Sequence, residues 1–486
     1  MADLSKLTTA QGYFAPQRFE AEVLDCETIG TIPSDITGAF VRLGGEWYYP
    51  PKFPNDAPLH SDGHISRFRF HDGRVSYRSR FVRTQRFEAN LKAGHQQFGY
   101  YRNRLTDEPQ VQALDGTVAN TTPYAFAGKL MALKEDALPH LIDPVTLETT
   151  GRWDFGGQFR SRTFSAHPKT DPASGEMIAY GYEATGDGSR DVFVYTIDRT
   201  GTVTHEARFE VPYLSMIHDI AITERHILFP FGGYVSSTER LRQGKIHWGW
   251  DKTQPSYIGI LPRGAPGKDI RWFKGPLRCM MHTFNARTLG DKVILDAPFY
   301  DGNFFPFFPN VDGSPWEQAK ARAFIRRLTF DLNSRHDGWT EEILFPMPIV
   351  DIGAVDPRHL TRDLRYVFTG FADPTRPFDT ARGGNLAGRV TNSYGRFDLH
   401  TGRYEAMFAG PTHSLAEACF VPRKGGGEGA GWVIGVASNF AEMRSELVIA
   451  DAERLSEGPI GRVLLPFRAA PQVHGNWISD DQLSFG

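Results

Sequence analysis

Short stretches in which apolar and polar residues alternate run along most of this 486-residue chain. Such two-residue alternation, rich in β-branched and aromatic residues, predicts β-strands with one face buried. The clearest stretches are GAFVRLG (38–44), SRFRFHDGRVSYRSRFV (66–82), DVFVYTIDRTGTVTHEARFEV (191–211), HILFPFGGYV (226–235), KVILDAP (292–298) and ELVIADA (446–452).

Turn sequences separate these strands. The triplet HDG at 71–73 and the segment DRTG at 198–201 each lie between two alternating runs and predict hairpins. The glycine-rich segment KGGGEGAGW (424–432) indicates a flexible surface hairpin, because it lacks the lysine and hydroxyl residue of a phosphate-binding loop. The clearest helix is predicted at SPWEQAKARAFIRRL (314–328), with Pro315 in its first turn.

Many short strands with turns between them predict a sandwich, a barrel or a propeller. A chain of 486 residues is too long for one sandwich and favours a propeller. The sequence has no motif of the repeat-propeller families, so any blades are degenerate. We expect residues 1–486 to form one all-β propeller domain.

Charge and cysteine content narrow the function classes. The formal net charge of −3 provides no basic field for nucleic acid. Three distant cysteines (Cys26, Cys279 and Cys419) fit reduced thiols in a cytoplasmic protein. The sequence MADLSKLTTAQGYF has no apolar core of a secretory signal, and no apolar run is long enough for a membrane span. The sequence leaves the oligomeric state open, a homodimer included.

Four histidines differ in context from the other twelve. His167 lies in TFSAHPKTDP, His218 in YLSMIHDIAIT, His282 in LRCMMHTFNA and His474 in APQVHGNWISD. A single histidine in an apolar strand is usually a core residue. Their separations of 51, 64 and 192 residues, however, are close to multiples of the roughly 69 residues expected per blade of a seven-bladed propeller. Corresponding inner strands of four blades could therefore direct all four towards the central axis.

Four neutral imidazoles restrict the choice of metal. Catalytic zinc sites usually have three protein ligands, and calcium and magnesium prefer oxygen. Imidazoles suit a borderline metal such as Fe(II), copper or nickel. Carboxylates behind the ligands would balance the charge of the ion and hold each imidazole in one tautomer.

The same segments resemble the four-histidine iron signature of the carotenoid cleavage oxygenases. The resemblance includes TIPSDITGAFVRLGG and LHSDGHISRFRFHDG and extends from about residue 25 to residue 478. Within that family, GYYRNRLTD, TVANTT, LMALKEDALPHLIDPVTLET and FFPFFPN are most similar to the lignostilbene dioxygenase branch. The resemblance implies a seven-bladed propeller with a cap of loops and short helices over one axial Fe(II) ion, which uses O₂ to split an alkene into two carbonyl compounds.

Carried over to this sequence, the resemblance implies that His167, His218, His282 and His474 bind the iron. The carboxylates behind them would be Glu135, Glu417 and Asp351. Asp351 departs from the family, which normally has Glu at this position. Because Asp is one methylene shorter, its contact with a ligand histidine is expected to need a bridging water.

The substrate end of the site is also implied by the resemblance. In the lignostilbene branch a tyrosine and a lysine bind the phenol of a 4-hydroxystilbene, and Tyr101 and Lys134 match them. The pocket positions fall on Leu59, where the family usually has Phe, and on Thr121, whose methyl group would crowd a vacant iron position. Apolar walls are expected from Phe305 and Phe307.

The sequence therefore predicts an Fe(II) dioxygenase that cleaves the central double bond of 4-hydroxystilbenes into two aromatic aldehydes. Its partners would be O₂ and a small aromatic substrate. Three alternatives stay open. An apocarotenoid cleavage oxygenase would share the iron site but leave Lys134 without a task. A non-catalytic propeller would bind a partner through its loops and need no metal, and a propeller hydrolase would need carboxylate ligands that the sequence does not make evident.

Overall fold

The computed structural model describes residues 12–384 and 390–485. Within them the strands form seven antiparallel sheets of at least four strands, which are the blades of a β-propeller and confirm the predicted fold class. Blade 1 consists of Glu22–Val23, Gly38–Glu46, Asp62–His71, Arg74–Phe81 and Gln472–Ser479. Blade 2 consists of Thr122–Phe126, Lys129–Leu133, His140–Ile142 and Thr149–Arg152. Blade 3 consists of Lys169–Thr170, Met177–Tyr182, Asp191–Ile197 and Val203–Glu210.

The other four blades follow in chain order. Blade 4 consists of Ala221–Ile222, His226–Phe231, Ser256–Pro262 and Arg271–Gly275. Blade 5 consists of Asn285–Leu289, Lys292–Tyr300, Ala323–Asp331 and Thr340–Ile343. Blade 6 consists of Gly353–Val355, Tyr366–Phe371, Ser393–Asp398 and Arg403–Phe408. Blade 7 consists of Glu27–Gly30, His413–Leu415, Cys419–Pro422, Gly431–Asn439, Arg444–Asp451 and Pro459–Leu464.

Strands from both ends of the described chain close the ring. The late strand Gln472–Ser479 pairs with Gly38–Glu46 and becomes the inner edge of blade 1. The early strand Glu27–Gly30 pairs with Pro459–Leu464 at the edge of blade 7. This double exchange joins the first and last blades through backbone hydrogen bonds, so the axis of the propeller is enclosed on all sides.

Helices are few and short. The α-helices are Gln85–Ala93, Thr238–Arg242 and Thr380–Gly383. Single 3₁₀ turns occur at Gly12–Phe14, Pro58–His60, Arg104–Thr106, Pro109–Val111, Gly267–Asp269, Gln318–Lys320, Pro357–His359 and Leu455–Glu457. A further two-stranded ribbon pairs Tyr234–Val235 with Gly249–Trp250. In the described ranges no helix is both long and apolar enough to cross a membrane.

The hairpins predicted at HDG and DRTG are confirmed, and the glycine-rich segment joins two paired strands of blade 7. The helix predicted at 314–328 is wrong. Only Gln318–Lys320 forms a helical turn, and Ala323–Asp331 is a strand paired along its whole length with Lys292–Tyr300. The buried guanidinium of Arg326 binds Glu341 and Asp301 (2.6 Å to the latter), so tertiary contacts override the local helical preference.

Candidate metal centre

The four candidate ligand histidines meet at the centre of the propeller. One ring nitrogen of each of His167, His218, His282 and His474 lies within 4.8 Å of the others. The Nε2 atom of His218 is 3.1 Å from that of His167 and 3.2 Å from that of His282. The four nitrogen atoms are uncharged and converge with no carboxylate among them, so they form a metal site. The lack of a carboxylate in this cluster disfavours the hydrolase alternative.

The position of these residues in the blades differs in detail from the expectation. His474 lies in the inner strand of blade 1, opposite Leu43. His167, His218 and His282 lie instead in irregular segments just before the first strands of blades 3, 4 and 5. Strand pairing therefore holds one ligand directly, and loop contacts must hold the other three.

Three carboxylates lie behind three of the histidines. The Nδ1 atom of His218 donates to Glu135, that of His282 donates to Asp351 at 2.7 Å, and that of His474 contacts Glu417 at 3.3 Å. Because a carboxylate only accepts, each Nδ1 carries the proton and each Nε2 directs its lone pair at the centre. These acids come from blades 2, 6 and 7, so every blade contributes either a ligand or a supporting acid.

The expected bridging water between Asp351 and His282 is wrong. Its carboxylate contacts His282 directly, because the segment before Gly353–Val355 brings the shorter side chain close enough. Burial alone would raise the pKa of Asp351, but His282 and Tyr300 lower it below the ordinary value. Burial alone would lower the pKa of His282, but the contact with Asp351 raises it above the ordinary value.

The pKa of Glu135 is lowered as well. Burial opposes its ionisation, yet His218, Lys134 and Arg102 lower its pKa to about 2. His167 stands apart, since among the described residues no carboxylate contacts its ring. Burial and the other three histidines hold the pKa of His167 well below its usual range, which keeps its imidazole neutral.

Lys134 and Tyr101 lie together beside this centre. Lys134 directly precedes Glu135, and its Nζ atom lies 5.3 Å from the centroid of the Tyr101 ring. Both residues are buried, with 5% and 1% of their surfaces exposed. Among the described residues, neither the ammonium nor the phenol hydroxyl has a hydrogen-bond partner. Burial lowers the pKa of Lys134 and raises that of Tyr101 well above its ordinary value.

Three of the four predicted pocket residues lie against the same apolar cluster as Tyr101. Leu59, Phe305 and Phe307 are partly buried and pack against the apolar cluster that contains Tyr101. Phe308 bridges the aromatic residues, with its ring centroid 5.8 Å from Tyr101 and 5.3 Å from Phe305. Thr121 is buried at the start of blade 2, and its hydroxyl contacts Asn120 at 3.4 Å. The expected role of the Thr121 methyl group stays a prediction.

A buried polar chain that the sequence did not reveal connects this site to its surroundings. The Tyr182 hydroxyl donates to Glu135 at 3.3 Å and accepts from Arg102 at 2.9 Å. Arg102 in turn binds Glu183 at 2.7 Å, and Glu183 accepts from His247 at 3.0 Å. Arg102 and Glu183 both have positive φ, at 53° and 52°, so each end of this ion pair stores backbone strain.

A second buried network supports Tyr101. Asp56 accepts from the backbone N–H of Tyr101 at 2.8 Å and from the Nδ1 of His60 at 2.6 Å. Arg86 then donates to the Nε2 of His60 at 2.6 Å. The sequence signal for these networks was limited to Asp56 and His60, which are close to Leu59, and to Arg102, which follows Tyr101.

Comparisons with known proteins agree with this geometry. The sequence profile of the family described as retinal pigment epithelial membrane protein matches residues 14–479. Lignostilbene-α,β-dioxygenase isozyme III of Sphingomonas paucimobilis is 38% identical over 99% of each chain. Isoeugenol monooxygenase of Pseudomonas putida is 40% identical over 96% of this chain and 97% of its own.

A solved structure shows the same architecture. The crystal structure of Pseudomonas brassicacearum lignostilbene dioxygenase matches with a TM-score of 0.93 and 38% identity, over 97% of this chain and 99% of that one. A full-length match to enzymes of one family leaves no support for a non-catalytic propeller. The chain belongs to the family of retinal pigment epithelial membrane protein and the carotenoid cleavage oxygenases, the non-haem iron oxygenases that cleave carbon–carbon double bonds.

Proposed function

We propose that this protein binds one Fe(II) ion per chain and cleaves the central double bond of a 4-hydroxystilbene with O₂. The two bonds between the alkene carbons and the bond of dioxygen break, and two C=O bonds form. Each alkene carbon gives up two electrons and dioxygen accepts four, so two aromatic aldehydes account for all atoms. The observation that carries this proposal is the buried Lys134 beside Tyr101, whose ammonium has no hydrogen-bond partner among the described residues.

The residues at the centre fit ferrous iron. Four imidazoles direct unprotonated nitrogen atoms at one point, and Glu135, Asp351 and Glu417 hold three of the rings in that tautomer. When bound, the iron supplies the site at which O₂ is activated. The three acids lie behind the ligands and balance the charge of the ion without binding it.

Lys134 and Tyr101 would recognise the phenol of the substrate. An ammonium ion in an apolar surrounding is costly to bury without an oxygen partner, and a phenolate supplies one. Lys134 would favour the phenolate by its charge, and Tyr101, which stays protonated, would donate a hydrogen bond. Electron density of the phenolate extends through the conjugated system to the alkene. Leu59, Phe305 and Phe307 would enclose the rings and exclude water.

The proposal is tested by O₂ consumption and aldehyde formation with matched substrates. We expect the iron-loaded protein to cleave 4-hydroxystilbene and to cleave 4-methoxystilbene poorly or not at all, because the methoxy compound cannot form a phenolate. Equal rates with both compounds would contradict a role for the phenol. Cleavage of an apocarotenal without cleavage of hydroxystilbenes would assign the protein to the carotenoid branch and leave the metal site intact.

Isoeugenol is the second candidate substrate, because a relative named for it is 40% identical over nearly the whole chain. Isoeugenol is also a phenol conjugated with an alkene, so the same Lys134 and Tyr101 would serve it. The two candidates differ in size, since the stilbene has a second aromatic ring. A ratio of kcat/KM for isoeugenol to 4-hydroxystilbene above one would favour the smaller substrate.

We further propose that residues 1–486 form a single domain. The exchange of strands between the first and last blades supports this, because Glu27–Gly30 and Gln472–Ser479 complete blades built mostly from distant parts of the chain. We expect one cooperative unfolding transition by calorimetry, and two separate transitions would contradict it.

A further inference from the structure

Three of the four ligand histidines lie in segments without strand pairing of their own. His167, His218 and His282 each precede the first strand of a blade, whereas His474 lies within a paired strand. A metal site requires ligand positions fixed to fractions of an ångström. Contacts other than the strand ladder must therefore fix these three segments relative to one another.

One buried carboxylate contacts all three segments. Asp219, which follows His218, is 1% exposed. Its Oδ1 atom lies 2.8 Å from the Nζ of Lys169, two residues after His167. Its Oδ2 atom accepts from both the backbone N–H and the hydroxyl of Thr283, which follows His282, at 2.9 Å each.

The remaining contacts strengthen the same junction. The backbone N–H of Ile220 donates to Asp219 Oδ1 at 2.7 Å, and the Thr283 hydroxyl also lies 2.9 Å from the Ile220 carbonyl. The carboxylate of Asp219 is thus bonded through both oxygen atoms and paired with one cation. A fully bonded buried carboxylate of this kind is rigid, and removal of one partner leaves a charge without compensation.

We propose that Asp219 is a positioning residue for the metal centre, acting with Lys169 and Thr283. It touches no imidazole, so it differs from Glu135, Asp351 and Glu417, which orient individual rings. Asp219 instead fixes the distances between the backbones that carry three of the ligands. The proposal depends only on the four-histidine site and is independent of the substrate.

The test is the binding of Co(II) to metal-free protein, followed by the visible absorption of the bound cobalt. The Asp219→Asn variant keeps the shape of the side chain and removes its charge. We expect its Kd for Co(II) to rise at least about tenfold, as for other residues that support metal ligands, and its absorption spectrum to change. No catalytic turnover is needed for either measurement.

Asp171→Asn is the matched control. Asp171 lies near the same blade edge, is buried and is bonded to Arg263, but contacts neither the His218 segment nor the His282 segment. We expect this variant to lose thermal stability while it keeps the parental Kd and cobalt spectrum. Parental Co(II) affinity and spectrum in folded Asp219→Asn protein would overturn the proposal.

Two milder variants keep the proposal falsifiable if Asp219→Asn does not fold. Lys169→Met removes the cation, and Thr283→Val removes the hydroxyl but keeps the backbone donor. We expect each to weaken Co(II) binding by a smaller factor than Asp219→Asn, with Lys169→Met the weaker binder because it leaves the buried carboxylate without a cation. Parental affinity in both variants would overturn the proposal as well.

Discussion

In the proposed function, the choice of substrate depends on Lys134. A charge-assisted bond between an ammonium ion and a phenolate contributes on the order of 1.5–3 kcal/mol. Lys134→Met keeps most of the length and removes the charge, so we expect kcat/KM for 4-hydroxystilbene to fall at least about tenfold. Tyr101→Phe should lose less, because it removes one neutral hydrogen bond. Steady-state kinetics check both, and unchanged kcat/KM in Lys134→Met would contradict phenol recognition.

The depressed pKa of Lys134 predicts a pH effect. Burial stabilises the neutral amine, so the lysine loses its proton at a pH below the ordinary lysine pKa of about 10.4. If the charged form binds the substrate, kcat/KM must fall as the pH rises through this lowered value. We expect this fall in the pH profile of the parent protein and its absence in Lys134→Met. The ionisation of the free substrate affects both proteins equally and serves as the internal control.

At this scale the sequence was most informative where residues match a motif. Each of the histidines and acids at the centre is adjacent in sequence to a recognisable pattern, and the structure brings all seven together. Arg102, Tyr182, Glu183 and His247 were missed, because a lone polar residue in a strand or loop gives no sign of a partner that is far away in the sequence. Their pairing brings together the segment between blades 1 and 2, the end of a strand in blade 3 and a loop within blade 4.

Irregular segments next to the inner strands supply most of the residues at the centre. Asp351 precedes the first strand of blade 6, as the histidines do in blades 3 to 5, whereas Glu417 lies between the strands His413–Leu415 and Cys419–Pro422 of blade 7. We expect Glu417→Gln, Asp351→Asn and Glu135→Gln to weaken iron retention about 10- to 100-fold without unfolding the protein. Iron analysis after dialysis against a chelator checks this. Parental retention in all three would show that these contacts do not support the ligands.

Strand prediction succeeded where local turn chemistry decides the structure, as in the hairpins at 71–73 and 198–201. It failed at 314–328, where the sequence has a helical pattern but Ala323–Asp331 forms a strand. This strand pairs with Lys292–Tyr300 and is held by the contacts of Arg326. The inner strand of blade 1 was also beyond prediction, because its partner Gly38–Glu46 lies at the opposite end of the chain. Pairing between such distant segments leaves no local signal.

That inner strand is anchored at its start by Gln472. Its side chain donates to the carbonyl of His64 at 2.8 Å and accepts from Ser66 at 2.6 Å, beside a register shift at Leu43 and Gly44. Gln472→Leu would leave these buried groups without partners, at about 1–3 kcal/mol for each one. We expect a lower free energy of unfolding by that order in chemical denaturation. An unchanged midpoint would mean that water replaces the amide.

At the scale of the whole molecule, we expect the bound metal to stabilise the folded propeller. The ligands come from blades 1, 3, 4 and 5, so an ion that binds only the folded protein stabilises four blades at once. Linkage gives about 2.7 kcal/mol when the free metal is a hundredfold above its Kd. We expect chelation to lower the Tm of the parent protein and excess Fe(II), added without oxygen, to restore it.

The histidine variants test the same expectation. His218→Ala should lose both the iron and the metal-dependent part of the Tm. His400 is exposed, so His400→Ala should keep both. A parental Tm that does not respond to chelation would show that the blades are held without the ion, and would leave the four histidines with a chemical role alone.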